Sequence, residues 1–507
     1  MKKLAEKYHA NQTRKGEGNI PYIVHPQAVV QKLLSWGANP DSDIIKVAWG
    51  HDLLEDTTVT ENEIIAAANE NVLDCIKKLT CPDTMSKKSY LACVSECGIR
   101  DVLLVKIADR ICNSEDFIKL EGKLYAYQYF HSADCIFEAL KQFADDEIVK
   151  NAINGWNEFE KKVYNDAQHE ATRGCLIGGA VGDALGAPIE FFTAANIKKY
   201  FGVAVKDYVE FKDGTGAITD DTQMTLFTAE GILRALVRDR EKGICAPASV
   251  MRFAYLRWLA TQDGRVDAPS EFINSGWLIR EKRLFVKRAP GMTCISSLEN
   301  KNGSVRAQNN SKGCGTVMRM APVGLFFEPE DAYRYGCEFS AITHGHQTGI
   351  TAGGAFAMLI SYLRYGNPLE KSLDLLENHL RRIDDAAETL EFIRKARTAE
   401  DISELGDGWV AEEALAIGIF CALKHTWDFE KGVIEAVNID GDSDSTGAIA
   451  GNILGVLNGE KAIPEKWRRT LREYDIVSRI ADDLHKKFEK NADGHVSCEW
   501  FEKYPGF

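Results

Sequence analysis

Apolar residues recur at three- and four-residue spacing along most of the chain, the repeat of helices that bury one face. The pattern predicts one helix over Asp43 to Asp56, opened by the turn Pro40-Asp41-Ser42, and others over Asp101 to Asp109, Leu124 to Phe143 and Glu147 to Tyr164. Strand-like alternation is scarce, and Val203 to Phe211 is its best candidate. The chain therefore reads as all-α.

The pattern changes near residue 167. Glycine is sparse before it, whereas Gly174, Gly178, Gly182 and Gly186 then follow at four-residue intervals. Gly447, Gly451 and Gly455 repeat the device, and Gly349 and Gly353 do so more briefly. Glycine inside a helix costs ~1 kcal/mol against alanine, so close approach of another backbone must offset it. A short polar junction, Asn165 to Ala171, is expected to join two abutting domains, 1–166 and 167–507.

Composition narrows the class. The 507 residues are 45% hydrophobic and 27% charged, which is ordinary for globular proteins. The net charge is −14, and both parts of the chain are acidic without a basic run. This argues against a general nucleic-acid binder. The 13 cysteines form no CxxC pair, so free thiols in a reducing cytoplasm are expected. The N-terminal residues lack the apolar core of a signal peptide. The most apolar stretch, Ile350 to Leu363, falls short of the ~20 residues that span a bilayer, so no membrane partner is expected.

Two clusters carry candidate chemistry. His51, Asp52, Glu55 and Asp56 form one polar stripe on the expected helix, and a solvated acidic helix end is the alternative reading. Upstream lies Pro21-Tyr22-Ile23-Val24-His25-Pro26, and downstream Lys106-Ile-Ala-Asp109-Arg110-Ile-Cys-Asn113. Two histidines with two carboxylates suit Mn²⁺, Fe²⁺ or Zn²⁺. With His9 and Arg14-Lys15, these motifs resemble, in order, the HD-type hydrolase domain of RelA/SpoT enzymes in the small stand-alone form of metazoan SpoT homologues. The resemblance covers residues 1 to about 160 and implies Mn²⁺ held by His25, His51, Asp52 and Asp109. It implies that Glu55 and Asp56 position and activate water, that Arg14 and Lys15 meet substrate phosphates, and that Asn113 meets the nucleotide sugar. The implied reaction removes the 3′-pyrophosphate from (p)ppGpp-like alarmones.

The second cluster is Thr219-Asp220-Asp221-Thr222 with Asp440-Gly-Asp442-Ser443-Asp444-Ser445-Thr446. Helix capping explains part of it, but crowded carboxylates call for hard cations such as Mg²⁺, Ca²⁺ or Mn²⁺. With Arg173 to Glu190, Arg288-Ala-Pro-Gly291, Asn310 to Pro322 and Ile342 to His346, it resembles the ADP-ribosylglycohydrolase family, nearest its bacterial dinitrogenase-reductase-activating branch. That resemblance runs from about Thr172 to about Glu489 and implies a compact fold of orthogonally packed helices after an HD-type bundle. It implies two Mg²⁺ ions on Thr219, Asp220, Asp221, Asp442, Asp444 and Ser445, with Glu190 at the ribose or the metals. It further implies pyrophosphate on the backbone of Ser311, Lys312 and Gly313, and His344 at the distal ribose or adenine. Asp183 reads as a supporting residue, Cys314 as packing, and Trp258, Trp277 and Trp409 as core.

The joint expectation is a bifunctional metal-dependent hydrolase acting on alarmones and on ADP-ribosylated protein, nucleic acid or small molecules. The alternatives are an alarmone-sensing first domain that regulates the second, or a first domain acting on ppApp-type alarmones or the NADPH 2′-phosphate.

Overall fold

The computed structural model describes residues 1–14, 19–211, 214–300 and 304–506. Its elements are helices joined by short turns, and the all-α expectation holds. The one sheet among the described residues is an antiparallel pair of two-residue strands, Glu210–Phe211 with Gly214–Thr215. Most of the strand expected over Val203 to Phe211 is irregular chain. Among the described residues no single helix is long and apolar enough to cross a membrane.

The chain divides into two compact units, Met1–Ala167 and Gln168–Phe507. In the first, the helix Arg100–Leu120 forms the core, with Leu103, Leu104, Val105, Ile107 and Ala108 fully buried against Val24–Ser35 and Asp43–Gly50. The helix expected over Asp43 to Asp56 is broken into Asp43–Gly50 and Leu53–Asp56. The cause is local: His51 Nδ1 takes the Ala48 carbonyl at 2.8 Å, competing with the backbone ladder. The segment Leu124 to Phe143 likewise breaks into Lys123–His131 and Asp134–Leu140.

The expected polar junction is not a loop. One helix of 40 residues, Glu147–Gly186, runs from the first unit into the second. Asn165, Asp166 and Gln168 are polar, yet no proline or glycine stops the helix there, and Ala167 and Ala171 are buried.

In the second unit the helix Gln347–Arg364 is buried on nearly all sides and packs on Pro329–Ser340, Ala321–Phe326 and Ala411–Lys424. The glycine faces meet each other. Gly174, Gly178, Gly182 and Gly186 oppose Gly455, Gly451, Gly447 and Ser443, so Glu147–Gly186 and Ser443–Asn458 run antiparallel with their backbones in contact. A Cβ on any of these glycines would collide with a carbonyl of the facing helix. Gly182→Ala and Gly451→Ala are each expected to cost about 3 kcal/mol, because rigid backbone must move to admit the methyl group. Gly243→Ala, whose Cβ meets nothing within 4 Å, should cost only ~1 kcal/mol for its φ of +66°. Urea unfolding of the full chain compares the three.

Candidate metal centres

In the first unit, the break at His51 brings four side chains to one point. His25, in the first turn of Val24–Ser35, places Nε2 3.0 Å from Asp109 Oδ1 and 3.6 Å from Asp52 Oδ2. His51 Nε2 lies 3.1 Å from Asp52 Oδ2, 3.7 Å from Asp109 Oδ1 and 3.3 Å from His25 Nε2. The Ala48 carbonyl holds the His51 proton on Nδ1, which turns the Nε2 lone pair toward this point. Two facing ring nitrogens between two carboxylates need positive charge between them. Burial alone would lower the His51 imidazole, yet Asp52 and Asp109 outweigh it and push it up to about 10. The donor set fits a borderline divalent cation.

The supporting contacts refine the expected roles. The Tyr22 hydroxyl lies 2.8 Å from both Asp52 Oδ2 and Asp56 Oδ2, linking a candidate ligand to a candidate water-activating group. His9 stacks on the Tyr22 ring at 4.7 Å. Glu55 accepts from Lys87 Nζ and the Cys81 N–H, both at 3.0 Å. Asn113 donates to Asp109 Oδ1 at 2.6 Å and accepts from Arg14 Nη2 at 2.9 Å, so it braces a candidate ligand as well as lining the cavity. Lys106 Nζ holds the other oxygen of Asp109 at 3.0 Å. Lys15 lies outside the described residues. The cavity measures about 520 Å³, and Tyr22, Asp52, Glu55, Asp56, Lys87 and Tyr129 are among the residues that line it. Lys87 and Tyr129 escaped the sequence reading, and Lys106 stood in the motif three residues before Asp109 without a role.

In the second unit the glycine seam builds the other site. It sets the C-terminal end of Glu147–Gly186, and Glu190 just beyond, beside the N-terminus of Ser443–Asn458, where Asp442 and Asp444 stand. Asp183, on the same seam helix, accepts the N–H groups of Thr219 at 3.0 Å and Thr222 at 3.1 Å. It thereby caps the helix Asp220–Lys242 and fixes the pair Asp220-Asp221 without facing the cavity.

A cavity of about 160 Å³ is lined by Glu190, Asp220, Asp221, Asp442, Asp444 and Ser445. Gly291 N–H donates to Asp220 at 3.1 Å, and Ser445 N–H donates to Asp444 at 3.0 Å. Glu190 Oε2 and Asp221 Oδ2 are buried with no hydrogen-bond partner. Burial, then Asp444, pushes Asp183 up to about 7. Burial, then Asp444 and Asp442, pushes Glu190 up to about 10. Asp220, Asp221 and Asp442 are raised by burial and then by Asp444, joined by Asp183 at Asp220 and by Asp220 at Asp221. Orphaned oxygens and mutually repelling buried carboxylates fit hard divalent cations.

The sign of the pH effect follows. Each of these carboxyls has a folded pKa above its unfolded value near 4. The metal-free fold therefore keeps their contribution at pH 4 and loses it as pH rises toward the raised values. Mg²⁺ should raise the unfolding temperature more at pH 8 than at pH 5.5, with EDTA as the reference. An equal shift at both pH values would remove the carboxylates from the binding reaction.

The remaining expected residues separate. Gly313 and His344 line the cavity, whereas Thr219, Ser311 and Lys312 do not. Thr219 Oγ1 accepts from the Asp221 N–H at 3.3 Å as a helix cap. Ser311 N–H is held by Asn309 at 3.0 Å, and the Lys312 ammonium pairs with Glu388 at 2.8 Å and with Glu412. His344 is pushed down to about 3 by burial, then Arg319, so it is neutral near pH 7 and suited to a hydroxyl or base. Two readings are corrected. Trp409 is no core residue: it is exposed, lines the cavity mouth, and stacks on exposed Phe191 at 5.6 Å. Cys314 is no mere packing residue, because it lines the cavity and its Sγ donates to Asp442 Oδ2 at 2.8 Å.

Comparison with known proteins adds the family context. A family model described as ADP-ribosylglycohydrolase matches residues 165–494. An uncharacterized protein of Archaeoglobus fulgidus is 31% identical over 333 residues, spanning 62% of this chain and 96% of the relative. ADP-ribosylhydrolase ARH3 of Mus musculus is 23% identical over 369 residues, spanning 63% of this chain and 92% of the relative. A solved structure titled "ADP-ribosylglycohydrolase-related protein complex" is 26% identical with a TM-score of 0.50, covering 63% of this chain and 98% of its own.

Proposed function

The chain belongs to the ADP-ribosylglycohydrolase family and is an enzyme of that activity, and we propose that it is bifunctional, with an alarmone 3′-pyrophosphohydrolase in its first unit. In the second unit, Asp220, Asp221, Asp442, Asp444 and Ser445, with Thr219 behind them, would hold two Mg²⁺ ions. Bound Mg²⁺ supplies Lewis-acid polarisation of ribose hydroxyls. Glu190 presents Oε2 to the same cavity without another partner, so it can hold or pass a proton at the anomeric carbon. The bond cleaved is the glycosidic bond to an ADP-ribosylated protein, nucleic acid or small molecule. Neutral His344 and the Gly313 backbone line the far wall and orient the remainder of ADP-ribose.

The observation that carries the first-unit reading is the convergence of His25, His51, Asp52 and Asp109 on one point beside a large open cavity. These four would hold Mn²⁺, whose Lewis acidity lowers the pKa of a water. Asp56, tied to Asp52 through Tyr22, takes the proton of the attacking water. Arg14 and Lys87 supply positive charge for the substrate's phosphates. One observation favours a second reading, an alarmone-binding unit with little turnover: Glu55 is engaged by Lys87 and the Cys81 N–H and must be freed before it can act.

The test incubates the purified chain with (p)ppGpp, ppApp, NADPH and ADP-ribosylated acceptors, supplying Mn²⁺ and Mg²⁺ separately. Pyrophosphate release with Mn²⁺ supports the bifunctional reading. Alarmone binding without release replaces it by the sensor, and phosphate release from NADPH replaces the substrate. Free thiols throughout the chain fit a cytoplasmic setting.

A further inference from the structure

Two chain segments away from the carboxylates close the second-unit cavity. Gly313, Cys314 and Gly315 line it from one segment, and Trp409 lines it from the other. Their backbones meet: the Ala411 N–H donates to the Lys312 carbonyl at 2.9 Å, the Cys314 N–H donates to the Trp409 carbonyl at 3.2 Å, and Gly313 bridges Val410. A strand-like pairing this short is marginal by itself in water.

The Lys312 side chain adds what the backbone lacks. Its ammonium sits between Glu412 and Glu388, the latter at 2.8 Å. Glu412 stands in the first turn of Ala411–Lys424, and Glu388 in the first turn of Ala387–Thr398. Glu388 also accepts the hydroxyl of Thr348, in the first turn of Gln347–Arg364. Three helix N-termini thus converge on one ammonium. The second glycine pair seats the same loop: a Cβ on Gly349 would stand 3.0 Å from Lys312 Cα, and one on Gly353 2.8 Å from the Thr316 carbonyl oxygen. Glu412 is buried with Oε2 unpartnered, so the loop position that brings Lys312 to it is the one that neutralises its charge.

Resting on the reading of this cavity as the ADP-ribose site, we propose that Lys312 is a positioning residue for ADP-ribose. Its ion pair with Glu412 locks the Gly313 segment against the Trp409 segment, so the wall that receives the non-reacting part of the ligand is formed before the ligand arrives. A preformed wall raises affinity, because a site that is competent for only a fraction of the time binds more weakly by that fraction. A direct contact of the ammonium with a phosphate fits less well, since it already serves two carboxylates and does not line the cavity.

The test is calorimetric titration of ADP-ribose into the full-length chain, beside steady-state kinetics. Lys312→Met should raise the Kd for ADP-ribose and the KM at least about tenfold and change kcat less than about threefold, the signature of binding shared by ground and transition states. Its response to Mg²⁺ should persist, which shows that the carboxylate cluster has folded. Lys312→Arg, which keeps the charge, should stay within about threefold of wild type. The double variant Lys312→Met, Glu412→Met removes the unpaired buried charge and should recover the unfolding temperature, yet its Kd should remain at least about tenfold raised, because the lock is still missing. Recovery of the Kd in the double variant, or a Lys312→Met chain that binds ADP-ribose like wild type, would overturn the proposal. A wild-type chain that does not bind ADP-ribose would instead overturn the reading of the cavity beneath it.

Discussion

Asp444→Asn should abolish ADP-ribosyl hydrolysis while making the metal-free protein more stable. Asp444 is buried, and its charge is felt across the cluster, since it helps raise Asp183, Glu190, Asp220, Asp221 and Asp442. Asparagine keeps the shape and the oxygen that accepts the Ser445 N–H at 3.0 Å. It removes one negative charge from a crowded, desolvated site, where such repulsion is strongest. The metal-free unfolding midpoint should therefore rise. On the proposed reading the same substitution deletes a cation ligand. The stabilisation by Mg²⁺ should disappear, and kcat/KM should fall at least about 10³-fold, equivalent to about 4 kcal/mol of transition-state stabilisation. A structural role for Asp444 makes the opposite forecast: lower stability without metal and an intact response to Mg²⁺. Thermal unfolding with EDTA and with Mg²⁺, beside a single-turnover assay, separates them.

The opposite signs illustrate how the site is built. The seam of Gly174, Gly178, Gly182 and Gly186 against Gly455, Gly451 and Gly447 is a packing device, yet it delivers Glu190 to Asp442 and Asp444. It also carries Asp183 to the N-terminus of Asp220–Lys242. Stability gathered along the seam supports a carboxylate cluster that is unfavourable by itself, a usual division between scaffold and site.

These features were legible in the sequence because they are local. His51-Asp52, Asp220-Asp221 and Asp442 with Asp444 are neighbours in the chain, and a four-residue glycine repeat declares a helix face whatever it packs against. What escaped depends on partners far away. The Lys312–Glu412 pair spans 100 residues, and the Arg14–Asn113 bond spans 99. Cys314 meets Asp442 across 128 residues, so nothing near it in sequence marked its sulfur as cavity-facing. The continuous helix through residues 165–171 has another reason: polar residues there change the surface of a helix without stopping it, and no glycine or proline follows until beyond the junction. The break at His51 leaves no mark in the periodicity because it is a side-chain nitrogen that takes the Ala48 carbonyl.

Asp52→Ala should remove alarmone hydrolysis and leave ADP-ribose release unchanged. Asp52 Oδ2 faces His51 Nε2 at 3.1 Å, His25 Nε2 at 3.6 Å and the Tyr22 hydroxyl at 2.8 Å. Removing it takes away one proposed ligand of the cation and one of the two carboxylates that hold the Tyr22 hydroxyl beside Asp56. Two buried histidines then face each other with Asp109 as their remaining carboxylate, and His51 loses its leading cause of elevation. Mn²⁺ content should fall together with alarmone turnover, each by at least about tenfold, and turnover further, because the water-activating group is displaced as well. The second unit's ligands include none of these residues, so its Mg²⁺-dependent activity supplies the folding control within the same molecule. Metal analysis, alarmone hydrolysis and ADP-ribose release measured on one preparation decide the matter. Loss of both activities in a folded Asp52→Ala chain would defeat the picture of two independent centres. Retention of Mn²⁺ and of alarmone hydrolysis would remove Asp52 from the site.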